Sequence, residues 1–286
     1  MLTLLTGLAV LAAVQSPDTT VAVKRGQRLE VSVHAGSVTV RGWNRDAVRV
    51  VTRSDDDASL DVRTRGERLV IDATGRHGRP IDASLEVSAP AWMPVSVHGV
   101  DLDITIDGVS AAVAAETVQG DVIVRGGADL VTLTSVEGSV HLSGAKGTMQ
   151  ISSVNEDVTV ARAVGDLTVS TVNGDLMLET IGSDNVDAST VNGDIGFSGT
   201  IQSGGRYRLS SHNGDLTLAI PANASATVNV ETFNGDFEAA FPVTVGGTRQ
   251  GRRFSFTLGS GAARVELESF QGDVRLVRPG AANEKR

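Results

Sequence analysis

The feature that most constrains this chain is a four-residue phrase that keeps returning. Val172-Asn173-Gly174-Asp175 recurs as Val118-Gln119-Gly120-Asp121, Val136-Glu137-Gly138-Ser139, Val154-Asn155-Glu156-Asp157, Val191-Asn192-Gly193-Asp194, His212-Asn213-Gly214-Asp215, Phe233-Asn234-Gly235-Asp236 and Phe270-Gln271-Gly272-Asp273. Successive phrases are 18, 18, 18, 19, 21, 21 and 37 residues apart, the last step being close to two ordinary ones with one phrase lost. Self-similarity at a short fixed period is the mark of a solenoid, in which no single repeat can bury its own apolar face and each leans on its neighbours.

A second turn precedes each phrase by about nine residues, as in Gly165-Asp166 before Val172 and Gly147-Thr148 before Val154. One coil therefore reads as strand, turn, strand, turn. Before the phrase, apolar residues hold alternate positions in every copy: Val113 and Ala115, Val131 and Leu133, Met149 and Ile151, Leu167 and Val169. After it come Val122 and Val124, Val140 and Leu142, Val158 and Val160, Leu176 and Leu178. Alternation with period 2 puts these inside and their neighbours outside. The corner residues have their own chemistry. Glycine tolerates positive φ and aspartate accepts bonds from nearby backbone N–H groups, so Gly120, Gly138, Gly174, Gly193, Gly214, Gly235 and Gly272 read as structural turns. Asn-Gly also suits a two-residue hairpin. A meander, however, needs an equivalent turn at every reversal, whereas this phrase returns once per coil. The fold class is therefore all-β, a parallel β-solenoid with coils of about 18–21 residues and an N-terminal β region. At roughly 4.8 Å per coil the copies make a rod on the order of 40 Å long.

Composition agrees. Aromatic content is 3%, which suits a narrow interior of Val, Leu and Ile, and there are 32 glycines for corners. There is no cysteine, which removes disulfides, thiol nucleophiles and lipid attachment at a cysteine. A formal charge of −9 argues against nucleic-acid partners and anionic bilayers. Met1 to Val14 is an apolar run ending in small residues, read as a secretory leader cleaved near Ser16, with no stable membrane insertion afterwards. The chain then divides into a leader (1–16), an N-terminal β-rich region or cap (17–95), the repetitive solenoid (96–278) and a polar tail (279–286). A cap is physically required, because an open first coil would offer unpaired backbone to other chains.

The strand carrying Leu29-Glu30-Val31, the stretch Gly36-Ser37-Val38-Thr39-Val40-Arg41-Gly42-Trp43, the Val87-Ser88-Ala89-Pro90 junction and the serial Val-Asn-Gly-Asp corners together resemble the bacterial putative-adhesin family, also catalogued as a β-strand-repeat domain of unknown function. The resemblance covers nearly all of the chain after the leader. It implies an exported protein, periplasmic or on the cell surface, with a noncatalytic adhesive or scaffolding role, and it carries over no catalytic residues.

The residues themselves point the same way. The corner aspartates form a ladder, and calcium at Asp157, Asp175, Asp194, Asp215 and Asp236 is one reading of it. A calcium roll needs paired glycines and an aspartate at each half-coil, whereas here the alternate turn varies and Ser139 interrupts the ladder. Adjacent carboxylates repel by only about 0.9 kcal/mol in water, which hydrogen bonds in the turn offset, so structural aspartates are preferred and no metal or cofactor is expected. The outward positions after each corner, Ile123, His141, Thr159, Met177, Gly196, Thr217, Glu238 and Arg275, lack an acid and base in neighbouring coils. The five histidines are dispersed, His212 replacing the apolar residue of its corner. The expected contact face is the hydroxyl-rich row containing Thr132, Thr134, Ser152, Thr168 and Ser170, in which Ser135, Ser153 and Thr171 are also read as outward. Such a face suits envelope protein or glycan. The rival reading is a carbohydrate-active enzyme, a lyase or hydrolase, on the same scaffold.

Overall fold

The computed structural model describes residues 18–53, 59–75, 81–221, 223–243, 245–250 and 253–279, with 245–250 described as backbone only. The proposed leader (1–16) and all but the first residue of the proposed tail lie outside these. Among the described residues every regular element is a strand, 27 in all, arranged as a 13-stranded first sheet and a 14-stranded second sheet.

The coil is built as its sequence demands. A strand of the second sheet leads into the corner, a strand of the first sheet leads out, and the alternate turn returns the chain one level further along. In the second sheet, Val113, Val131, Met149, Leu167, Val186 and Tyr207 form one inward column of parallel partners. In the first sheet the matching column is Val122, Val140, Val158, Leu176, Ile195 and Leu216. All of these are buried, so the two inner faces meet in a continuous aliphatic core. Burying each such side chain stabilises by roughly 1.5–3 kcal/mol relative to exposure. Neighbouring segments run parallel throughout this stretch, so the meander is excluded.

The coils that exceed 18 residues place the surplus at the alternate turn. Between Phe197 and Leu209 the longer turn is held by Tyr207, whose buried hydroxyl donates to Ser183 O at 2.9 Å and accepts from Gln202 N–H at 2.8 Å. Desolvation raises the phenol's pKa, so it stays protonated and able to donate.

Both ends depart from simple winding. The 37-residue step does not reflect a lost phrase. Strands Ala226–Asn234 and Phe237–Ala239 form the outermost coil, and the last coil, Ala263–Gln271 and Val274–Val277, returns to sit between it and strands Arg206–Asn213 and Leu216–Ala219. At the other end, strands Arg28–Val33 and Ala35–Trp43 lie between the coil of Val95–His98 and Asp101–Val109 and an outer coil of Arg68–Thr74 and Asp82–Pro90. Residues 28–43 and 68–90 thus wind in the same two sheets as the repeats, while Asp18–Ala22, Ala47–Arg53 and Ser59–Arg65 overlay the edges antiparallel. A hairpin of Val245–Gln250 and Arg253–Leu258 does the same for the second sheet at the far end.

Six of the seven phenylalanines fall between residues 233 and 270. Phe237, Phe254 and Phe256 pack ring against ring, with centroids 4.8 to 6.5 Å apart, and plug the core where the aliphatic columns stop.

Candidate functional site

The corner edge is the most regular surface of the molecule, and each of its residues has one task. The Ser or Thr before each phrase points inward. Thr117, Ser135, Ser153, Thr171, Thr190, Ser211, Thr232 and Ser269 are all buried. From Ser135 onward their hydroxyls donate to a carbonyl of the neighbouring corner, as Ser211 does to Gly193 O at 2.9 Å and Ser269 to Gly214 O at 3.0 Å. Ser135, Ser153 and Thr171 therefore do not belong to the outer row. Continuing the inward alternation one step beyond Leu133, Ile151 and Val169 places them inside.

The next residue points outward. Val100, Val118, Val172 and Val191 are more than a third exposed and lead to His212, Phe270 and Phe233, which form a ring stack. His212 lies 4.8 Å from Phe270 at an interplanar angle of 3°, and Phe270 lies 4.9 Å from Phe233 at 2°. Beside this stripe runs an amide ladder in which Asn173 donates to Asn155, Asn192 to Asn173 and Asn213 to Asn192 at 2.7–3.0 Å.

The corner glycines answer to close approach more than to left-handed φ. Of the seven, only Gly120 lies well inside the positive-φ region, at 111°. At all seven, a Cβ would stand 2.5–2.6 Å from a carbonyl carbon of the preceding coil. Stacked corners at this spacing leave no room for a side chain.

The aspartates bond upward. Asp157 Oδ1 accepts Asp175 N–H, Asp175 Oδ1 accepts Asp194 N–H and Asp194 Oδ1 accepts Asp215 N–H, each at 2.7 Å. Asp236 is not the neighbour of Asp215, since Asp273 stands between them, accepting Asp236 N–H at 3.0 Å and donating its own N–H to Asp215 Oδ1 at 2.8 Å. Among the described residues no three His, Asp or Glu side chains converge as a metal cage. Desolvation, then the charges of Asp215 and Asp175, raise the Asp194 pKa above its ordinary value, against the bond from Asp215 N–H and the charge of Arg275. A raised carboxyl pKa means that the ionised form costs stability: the contribution is full below the unfolded value of about 4 and is lost as pH rises through the folded value. Asp194→Asn keeps an oxygen for the Asp215 N–H. It is expected to melt at or above the wild-type midpoint at pH 7, with the advantage vanishing below about pH 4. Thermal melts at both pH values check this, and a strong loss at pH 7 would show that the charge itself is needed.

Thr134, Ser152 and Ser170 lie side by side in register and continue into Ser189 and Ser210. Thr132 and Thr168 belong to the adjacent row, separated by Gln150. Thr132 also borders a shallow apolar cavity of about 150 Å³ formed with Leu29, Pro94, Val95, Ala114 and Leu130.

On the first sheet's outer face the order of the last two coils is reversed, so Arg275 lies between Thr217 and Glu238. An acid and a base do therefore meet in neighbouring coils. Arg275 binds Asp215 at 2.5 Å, Asp273 at 2.6 Å and Glu238 at 3.6 Å. Its hydrogen bond to Asp215 is the main cause of its raised pKa. A guanidinium held by three carboxylates is a clamp across the last three coils.

A family model described as Toastrack DUF4097 matches residues 26–277. No curated protein matches the chain. Among solved structures, a putative adhesin from Bacteroides fragilis is 12% identical with a TM-score of 0.46, covering 91% of this chain and 96% of its own. A putative lipid binding protein from Parabacteroides distasonis is 9% identical with a TM-score of 0.42, covering 92% and 98%. A putative cell adhesion protein from Clostridium sporogenes is 8% identical with a TM-score of 0.30, covering 91% and 98%.

Proposed function

Given that the chain belongs to the Toastrack DUF4097 family, we propose that it is an exported, noncatalytic structural or adhesive module of the bacterial cell envelope that presents its second sheet to envelope protein or glycan. The observation that carries this reading is the row Thr134, Ser152, Ser170, Ser189 and Ser210, in register across consecutive coils. A parallel sheet repeats a hydroxyl at every coil, about 4.8 Å apart. Such an array meets an extended partner with many weak, evenly spaced bonds, and its affinity comes from their number. The apolar run from Met1 to Val14 in the sequence supports export.

The test is retention of purified protein on immobilised envelope glycans and envelope extract, comparing wild type with a variant carrying lysine at Ser152, Ser170 and Ser189. Binding is expected to fall at least tenfold in the variant while the melting temperature holds. Equal retention of the two proteins would move the contact surface elsewhere, and new reducing ends released from the glycan would replace this reading with an enzymatic one.

A further inference from the structure

The outer face of the second sheet dips at one place, the cavity beside Thr132. Leu29, Val95, Val113 and Val131 pair in register across four coils, so the outward residues on either side of them form two rows. One is Arg28, Pro94, Ala112 and Leu130; the other is Glu30, Ser96, Ala114 and Thr132. Pro94, Ala112 and Ala114 are short, and over them lies the cavity of about 150 Å³, with Arg28 and the exposed Leu130 as its end walls. The floor offers carbon only, because its backbone donors are spent: Leu29 N–H goes to Pro94 O at 2.8 Å and Val95 N–H to Ala112 O at 3.0 Å. The rim is polar. Arg28 is exposed, and among the described residues no protein group bonds to its guanidinium or to the Ser96 and Thr132 hydroxyls. Glu30, in the adjoining row, is held by Arg68 at 3.4 Å.

We propose that this cavity is a subsite for an amino sugar that carries both a short acyl group and a carboxylate. A sugar hydroxyl pressed onto a carbon floor is left unpaired, so the part of the ligand that enters is a methyl, and an acetamido group supplies one. The amide that carries the methyl then stands at the rim, where the Ser96 and Thr132 hydroxyls donate to its oxygen or accept its N–H. Arg28 calls for an anion, and a planar carboxylate takes two guanidinium donors side by side. A fatty acid meets the site less well. An alkyl chain gains in proportion to the area it loses to water, and a shallow depression of about 150 Å³ leaves most of a long chain exposed. The inference rests on the reading of this sheet as glycan-facing and narrows it to one class of sugar at one end of that face.

The probe is N-acetylmuramic acid, titrated into the full chain and read from backbone amide shifts by NMR. Saturable shifts at Ala112, Ala114 and Thr132 are expected at millimolar sugar. N-acetylglucosamine, which lacks the carboxylate, is expected to bind at least about fivefold more weakly, and Arg28→Gln is expected to erase that difference. Ala114→Leu, which fills the cavity from an outward position, is expected to weaken both sugars, with the melting temperature of each variant measured alongside. The variant carrying lysine at Ser152, Ser170 and Ser189 keeps the cavity, so it is expected to take N-acetylmuramic acid as wild type does, whether or not it is retained on immobilised glycan. No saturable shift at these amides, equal binding of the two sugars, or loss of N-acetylmuramic acid in the lysine variant overturns the inference. Tighter binding of hexanoate at the same amides overturns it as well, since that makes the cavity an alkyl site.

Discussion

Gly214→Val is expected to destabilise the protein by at least about 3 kcal/mol, with a melting temperature lowered far enough to leave a large unfolded fraction on heating. The new Cβ would stand 2.5 Å from the carbonyl carbon of Gly193 and 3.0 Å from Ser211 Oγ. Backbone cannot swing aside as a flexible side chain can, so the corner must open. Opening it breaks the Ser211 bond to Gly193 O and the Asp215 bond to Asp194, and it misaligns the coils above and below. Gly182→Ala is the internal comparison, because its nearest neighbours are a Val164 methyl at 3.4 Å and Ala163 O at 3.7 Å, ordinary contact distances. That variant is expected within about 0.5 kcal/mol of wild type. Paired denaturant titrations decide the matter, and a Gly214→Val midpoint close to that of Gly182→Ala would refute the close-approach account of the corner.

The second large effect concerns the last coil. A chain cut after Gly259 loses strands Ala263–Gln271 and Val274–Val277, which among the described residues join the outermost coil to the rest of the two sheets: there Phe237–Ala239 pairs with Val274–Val277, and Ala226–Asn234 with Ala263–Gln271 and the hairpin. Residues 220–258 are then expected to exchange their amide hydrogens at rates close to those of an unfolded chain, while strands between residues 113 and 199 keep their protection. Hydrogen exchange read by mass spectrometry resolves the two regions. Retained protection at Ala226–Asn234 would mean that this strand docks directly on Arg206–Asn213, contrary to the claim that the inserted coil is indispensable.

The coil itself was legible because its instructions are local. Val131 and Leu133 before the corner and Val140 and Leu142 after it follow strict alternation, and copying that pattern at a near-constant step fixes the columns of the core. The role of the corner glycine was harder to read. A recurring glycine is compatible with positive φ or with crowding, and only the stacked carbonyls distinguish the two. The inward hydroxyls were within reach, since Ser135 is two residues beyond Leu133, but a polar side chain read by its chemistry alone is placed outside. Nothing local announces that residues 263–277 slip beneath residues 226–239. The corner Phe270-Gln271-Gly272-Asp273 offers both neighbours the same kinds of group as any other corner, so the order of the last two coils is decided by long-range pairing. The overlay of the edges by residues 18–22, 47–53 and 59–65 is equally nonlocal.

The tucking of a coil under its outer neighbour at each end limits how such a molecule changes size over evolutionary time. Appending a repeat at either extremity would bury a segment shaped to face outward. A duplication between about residues 99 and 219 meets no such obstacle: there the repeats are interchangeable, and each added copy lengthens the body by about 4.8 Å. Relatives of different span should therefore differ in the number of middle repeats and share the same two finishing pieces.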